Sequence, residues 1–284
     1  MRTTVTRGEQ DDIERANSAG VTPVVLVHGL WLPATSWLPW RGYLEEQGFA
    51  TVAPGWPREP AGVDEARAHP GAVAGTGVAE VTNHVADMLA ALDRRPVLIG
   101  HSFGGLVALQ LAGKGLALAT VALGPAPSRG VLALPPSALR VASVALAHPA
   151  TYSRSVMLTS DQFRFAFGNA LSRRESDSLY DRLCVPAPAK PLFQAATANL
   201  HPRAETRVET GDRGRGPLLI VTAEKDHTVP WAVARATYRR EASNPGPTEL
   251  TEAPGRGHSL PVDSGWREVA DNVLAFLGRH GIAP

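Results

Sequence analysis

The most reactive arrangement in the chain is Gly100-His101-Ser102-Phe103-Gly104, a serine with glycines two positions before and two after it. It follows the apolar run Pro96-Val97-Leu98-Ile99 and leads into a second apolar stretch, Leu106 to Ala112. A buried strand that turns sharply into a helix strains the residue at the turn and leaves its side chain exposed above the sheet. Glycines at those two positions remove the Cβ atoms that would collide there. The Ser102 hydroxyl then stands where it can attack a carbonyl carbon, and the next amide, that of Phe103, opens a helix and can receive developing negative charge. The single cysteine, Cys184, has no partner for a disulfide and reads as a small buried hydrophobe. Of the nine histidines, no pair has metal-ligand spacing, so no metal is expected.

The elements that must carry this serine are legible from the hydropathy pattern. Val24 to Val27 is a continuous β-branched apolar run ending at His28-Gly29, which predicts a strand buried on both faces of a parallel sheet. Further strands are expected at 49–53, 96–99, 117–123, 218–221 and 248–252. Steps of three and four among Val78, Val81, Val85, Met88, Leu89 and Leu92 predict an amphipathic helix. Others are expected at about 37–47, 106–112 and 266–277. Alternating strands and helices imply parallel pairing with right-handed crossovers. That alternation stops at Gly124-Pro125, and buried-strand runs resume only at Leu218. The proline-split helical stretches between them (139–147, 161–171, 175–183) form an insertion. The expectation is therefore an α/β fold: a mostly parallel central sheet with flanking helices, residues 1–124 and 211–284 as the core and 125–210 as an inserted helical cap. Residues 1–20 read as a loose polar arm or a short edge strand around Thr3 to Thr6, and residues 57–75 as a loop.

From Val24 to about His280 the sequence resembles the α/β-hydrolase superfamily, in which the order along the chain is nucleophile, acid, histidine. The resemblance makes Ser102 the nucleophile. It places the acid at Asp226, in Glu224-Lys225-Asp226-His227-Thr228-Val229-Pro230 after the strand at 218, with Glu224 as fallback. It places the base at His258, in Gly255-Arg256-Gly257-His258-Ser259-Leu260-Pro261. His28-Gly29-Leu30-Trp31 is similar to the family's His-Gly motif, so the oxyanion would rest on the Leu30 and Phe103 amides. Removing one such donor typically costs about 3 kcal/mol of barrier. His101 should point away from the nucleophile and His227 should shape the acid loop. His69, His84, His148, His201 and His280 read as surface residues. The Trp-rich stretch and helical cap look most like esterases of the plant methylesterase and hydroxynitrile-lyase branch, and like lysophospholipase-like hydrolases.

Substrate clues lie near the ends of the strands. Trp31, His28, Phe163 and Phe167 are candidate pocket residues, while Trp37 and Trp40, three apart on a helix, read as core. The expected substrate is a small hydrophobic ester, lactone or thioester, and the mechanism needs no cofactor. A C–C lyase or cofactor-free perhydrolase on the same residues is the second reading, for which Lys225 would be a candidate proton donor. A receptor-like binding protein is the third. The formal net charge of +1 offers no case for nucleic acid or an anionic membrane surface. The most apolar stretch, 131–147, carries Pro135, Pro136 and Arg140, and is too short to span a bilayer. With no apolar leader visible after Met1, the chain reads as cytoplasmic.

Overall fold

A computed structural model describes residues 4–284. Six strands form one parallel sheet: β1 (Pro23–Val27), β2 (Ala50–Val52), β3 (Val97–His101), β4 (Ala119–Leu123), β7 (Leu218–Ala223) and β8 (Thr248–Ala253), in the order β2-β1-β3-β4-β7-β8. The insertion between β4 and β7 holds a two-residue antiparallel pair, β5 (Ser155–Val156) with β6 (Ala187–Pro188). The helices are α1 (Arg7–Ala19), α2 (Leu38–Glu46), α3 (Val63–Ala68), α4 (Val78–Ala90) and α5 (Phe103–Ala112) before the insertion. Those within it are α6 (Pro136–Leu146), α7 (Ser160–Ala166), α8 (Arg173–Leu183) and α9 (Lys190–Thr197), and those after it are α10 (Trp231–Glu241) and α11 (Trp266–Arg279). No helix among the described residues is long and apolar enough to cross a membrane.

Strand side chains alternate between two faces, which splits the core. Val25, Val27 and Leu98 join α1, α4 and α5 on one face. Val24, Leu26, Val97 and Ile99 join α2 and α11 on the other. Trp37 and Trp40 belong to the second cluster, edge to face with ring centroids 5.4 Å apart, as expected of core residues. Every residue of β1, β3 and β4 is buried, which is why each reads as an unbroken apolar run. α5, at the centre, is buried all round.

The N-terminal region departs from expectation. Thr3 lies outside the described residues, and Thr4 to Thr6 form no strand. Residues 7–19 are a helix, opened by a capping box in which Thr6 and Glu9 satisfy each other's orphan amides. Glu9 also accepts from Gly55 N at 3.2 Å and lies 2.8 Å from His84 Nε2. His84 is thus a buried partner of α1, not a surface residue. Burial pushes the Glu9 carboxyl up, but the His84 ring and the Thr6 amide outweigh it and hold the carboxyl below its ordinary value of 4.5. A depressed carboxylate contributes stability above its unfolded pKa, and that contribution is lost as pH falls through the folded value. Glu9→Ala is expected to cost about 1–3 kcal/mol at neutral pH. In urea titrations the gap between variant and wild type should narrow below pH 4.5; a gap of equal size at acid and neutral pH would remove the electrostatic account.

The segment read as a loop at 57–75 contains one short helix, α3. Cys184 is fully buried, and burial pushes its thiol up to about 12, so it is a neutral apolar side chain at physiological pH.

Candidate active site

β3 ends at His101, and α5 begins at Phe103. The one residue between them, Ser102, has φ 56° and ψ −119°, a conformation side chains other than glycine rarely hold. Tight packing imposes it. A Cβ on Gly100 would lie 2.2 Å from the Gly104 carbonyl oxygen, and one on Gly104 would lie 2.1 Å from that of Val27. The Ser102 amide donates to Leu123 O at 2.9 Å, and its carbonyl accepts from Ala126 N at 2.9 Å, so both ends of the turn are pinned to the end of β4.

The loop after β1 passes directly over this turn. A Cβ on Gly29 would sit 2.7 Å from Ser102 Cβ and 3.3 Å from Ser102 Oγ, so the loop lies against the serine. Phe103 is the first residue of α5, and the first amides of a helix have no intrahelical acceptor. The loop is held from behind by Trp56, whose indole N–H donates to His28 O at 3.1 Å.

β7 and β8 bring two more groups to the same end of the sheet. His258 Nδ1 lies 2.7 Å from Asp226 Oδ2, with both side chains fully buried. The other carboxylate oxygen, Oδ1, accepts from the Thr228 and Val229 amides, each at 2.7 Å. Gly124, at φ +48°, leaves room for the pair: a Cβ there would be 3.3 Å from Asp226 Oδ2 and 3.4 Å from the His258 ring. Because Nδ1 carries the proton donated to Asp226, His258 Nε2 is unprotonated in the neutral ring. That atom is buried without a hydrogen-bond partner, so it is not bonded to Ser102 Oγ in this conformation. Catalytic hydrogen bonds are often long or misaligned in unliganded enzymes.

Residues 24–272 match the alpha/beta hydrolase family. The chain belongs to that family. Among solved structures it is similar to a monoacylglycerol lipase of Paleococcus ferrophilus, with a TM-score of 0.65 and 20% identity over 91% of this chain and 94% of that one. An extracellular alpha/beta-hydrolase from a Paenibacillus species gives a TM-score of 0.62 at 18% identity, covering 89% and 98%. A pyrethroid hydrolase from Sphingobium faniae gives 0.61 at 20%, covering 90% and 97%. No curated protein matches the sequence. At these identities the likenesses speak for the α/β-hydrolase fold, which this chain shares along nearly its whole length.

Within that fold His101 does more than sequence reasoning assigned it. Its Nε2–H donates to the His258 carbonyl at 2.8 Å, and the two rings lie 4.6 Å apart. Burial, and then the neighbouring His258, push His101 well below the ordinary histidine value, so it stays neutral. It is a prop under the histidine loop. The same loop is braced by Asp263, which accepts from Ser259 Oγ at 2.8 Å and pairs with Arg256. The acid loop is tied to α7: His227 Nδ1 lies 3.0 Å from Phe165 O, and Thr228 Oγ1 donates to Ala166 O at 2.7 Å.

A cavity of about 110 Å³ opens at Ser102. Of the four pocket residues expected from sequence, only Trp31 lines it. Phe163 and Phe167 are fully buried and stacked on each other at 4.9 Å, with Phe167 edge-on to His258 at 5.0 Å. Phe167 backs the histidine, and neither ring faces the cavity, because both are packed into the core. His28 is also buried away from it: its Nε2 lies 2.8 Å from Glu59 Oε2. Burial opposes the His28 cation, but the Glu59 carboxylate outweighs it and raises His28 above its ordinary value. That pair belongs to the support of the loop carrying Leu30. His69, His148 and His201 are exposed, as expected, and His280 is half-buried against Glu249. Among the described residues no group of three His, Cys, Asp or Glu could hold a metal ion.

Proposed function

We propose that this hydrolase cleaves a carboxylic ester of a small hydrophobic molecule through an acyl-enzyme on Ser102. The observation that carries the reading is a strained serine lining an apolar cavity, one residue along the chain from His101, whose ring lies 4.6 Å from that of His258 in its buried pair with Asp226. His258 Nε2 takes the Ser102 proton as Oγ attacks the carbonyl carbon. Asp226 holds the Nδ1–H tautomer and stabilises the imidazolium. The Leu30 and Phe103 amides receive the tetrahedral oxyanion. The leaving oxygen takes its proton from His258, and water then resolves the acyl-enzyme by the same steps in reverse order. Residues 125–210 serve as a cap over the site, and residues 1–124 with 211–284 as the core. That relatives sharing the fold carry the names lipase and pyrethroid hydrolase supports hydrolysis as the reaction class.

Lys225, the lysine nearest the acid that a lyase reading would call on, is exposed and contributes nothing to the cavity wall. Labelling with a fluorophosphonate probe, alongside turnover of p-nitrophenyl esters, tests the proposal. Wild type should label and turn over, and Ser102→Ala should do neither. Wild-type protein that neither labels nor turns over any ester would return the chain to the receptor-like reading.

A further inference from the structure

The walls of the Ser102 cavity carry no ionisable side chain. Apart from Ser102 the polar side chains in them are Thr228, whose hydroxyl proton is already given to Ala166 O, and Trp31, whose indole N–H is given to Val156 O. A carboxylate, amine or phosphate on the bound part of the substrate would find nothing to pair with, at a cost of several kcal/mol for a charge left unpartnered. Recognition there is by apolar shape alone. The shape is set by small residues on two helices of the insertion. Ala138 and Ala142, four apart on α6, share one helix face. Ala195, on α9, lines the same space. Leu134 and Leu139 line the cavity yet remain 67% and 48% exposed, so they form its mouth.

The cavity also has a direction. Its wall includes Ser102, whose Oγ carries the acyl group in the acyl-enzyme. The part of the ester that stays at the cavity through the acyl-enzyme is therefore the acyl part.

We infer that the slot between α6 and α9 binds an uncharged aliphatic acyl chain, and that Ala142 and Ala195 set its length. An apolar cavity of about 150 Å³ accepts a six-carbon ring. The 110 Å³ here accordingly suits roughly four to six acyl carbons. The inference rests on the ester-hydrolase reading and deepens it.

The test compares two ester series on wild type, Ala142→Phe and Ala195→Leu. In one series the acyl chain runs from acetyl to decanoyl on p-nitrophenol. In the other the acyl group is acetyl and the alcohol lengthens. Wild type should peak at butanoyl to hexanoyl. Each variant should lower the hexanoyl-to-acetyl ratio of kcat/KM by about tenfold or more, the range that a methylene-scale misfit in an apolar pocket commands. The alcohol-length profile should keep its shape. Two variants on different helices guard against one that fails to fold, and the fluorophosphonate probe reports whether Ser102 is intact in each. An unchanged acyl ratio in labelled, folded variants overturns the slot while leaving the hydrolase reading in place. A change confined to the alcohol series shows that the cavity holds the leaving group and overturns the acyl assignment. Failure of wild type to label removes the hydrolase reading and the slot with it.

Discussion

Asp226→Asn is expected to lower kcat by about 10⁴-fold with the fold unchanged. The hydrogen bonds of Asp226 give the reason. Oδ1 accepts from two amides, Thr228 N and Val229 N, which can only donate. An asparagine at this position must therefore turn its carbonyl oxygen toward them and its NH₂ toward His258. The histidine nitrogen that faces it, Nδ1, would then have to accept, which moves the ring proton to Nε2. In the proposed mechanism the atom that takes the Ser102 proton would be the one already carrying a proton. The variant should label slowly with the fluorophosphonate, and its urea midpoint should stay close to that of wild type. Retention of more than a tenth of wild-type kcat would mean that the tautomer of His258 does not limit the reaction, and that Asp226 is only the turn-forming residue its two amide bonds also make it. Asp226→Ala separates these roles, because it removes the amide acceptors as well and should lose stability in addition to activity.

What could be read in advance depended on where each element gets its stability. β1, β3, β4 and β7 are buried along their whole length, so an apolar run and a strand are the same signal. The turn at Ser102 was legible because steric exclusion at Gly100 and Gly104 leaves a fixed spacing in the sequence. α1 was not, because its buried side is only Glu9, Ile13 and Ala16, and its anchor is a tertiary contact with His84, 75 residues away. The histidine that looked like a solvated helix residue and the acid that looked like part of a polar arm explain each other only when folded. The cavity walls were illegible for a different reason. Alanines on α6 and α9 define a space by what they lack, and a missing side chain leaves no hydropathy period. Phe163 and Phe167 drew attention as pocket residues because they are large and apolar, the same properties that send them into the core. His28 shows a mixed outcome: its motif marked the loop over Ser102, but its side chain serves that loop from behind, paired with Glu59.

Gly104→Ala is expected to destabilise the protein by more than about 4 kcal/mol, or to prevent it from folding, although alanine is the better helix former. The new Cβ would lie 2.1 Å from Val27 O and 2.5 Å from His28 O, both main-chain atoms at the end of β1. No side-chain rotation relieves such contacts, so either α5 must retreat from the sheet or the His28–Gly29 loop must lift. Gly42→Ala in α2 is the control: a Cβ there meets nothing within 4 Å, and the change should stabilise by roughly 0.5–1 kcal/mol. Urea denaturation followed by far-ultraviolet circular dichroism measures both. A Gly104→Ala protein within 1 kcal/mol of wild type would show that β1 and α5 are not pressed together as described. The consequence would reach the chemistry, because the same approach that forbids a Cβ at position 104 brings Gly29 against Ser102. The start of α5 and the His28–Gly29 loop meet in one continuous contact, at Gly104 and at Gly29. A protein loosened at that contact should therefore lose fluorophosphonate labelling at urea concentrations below those that unfold the sheet.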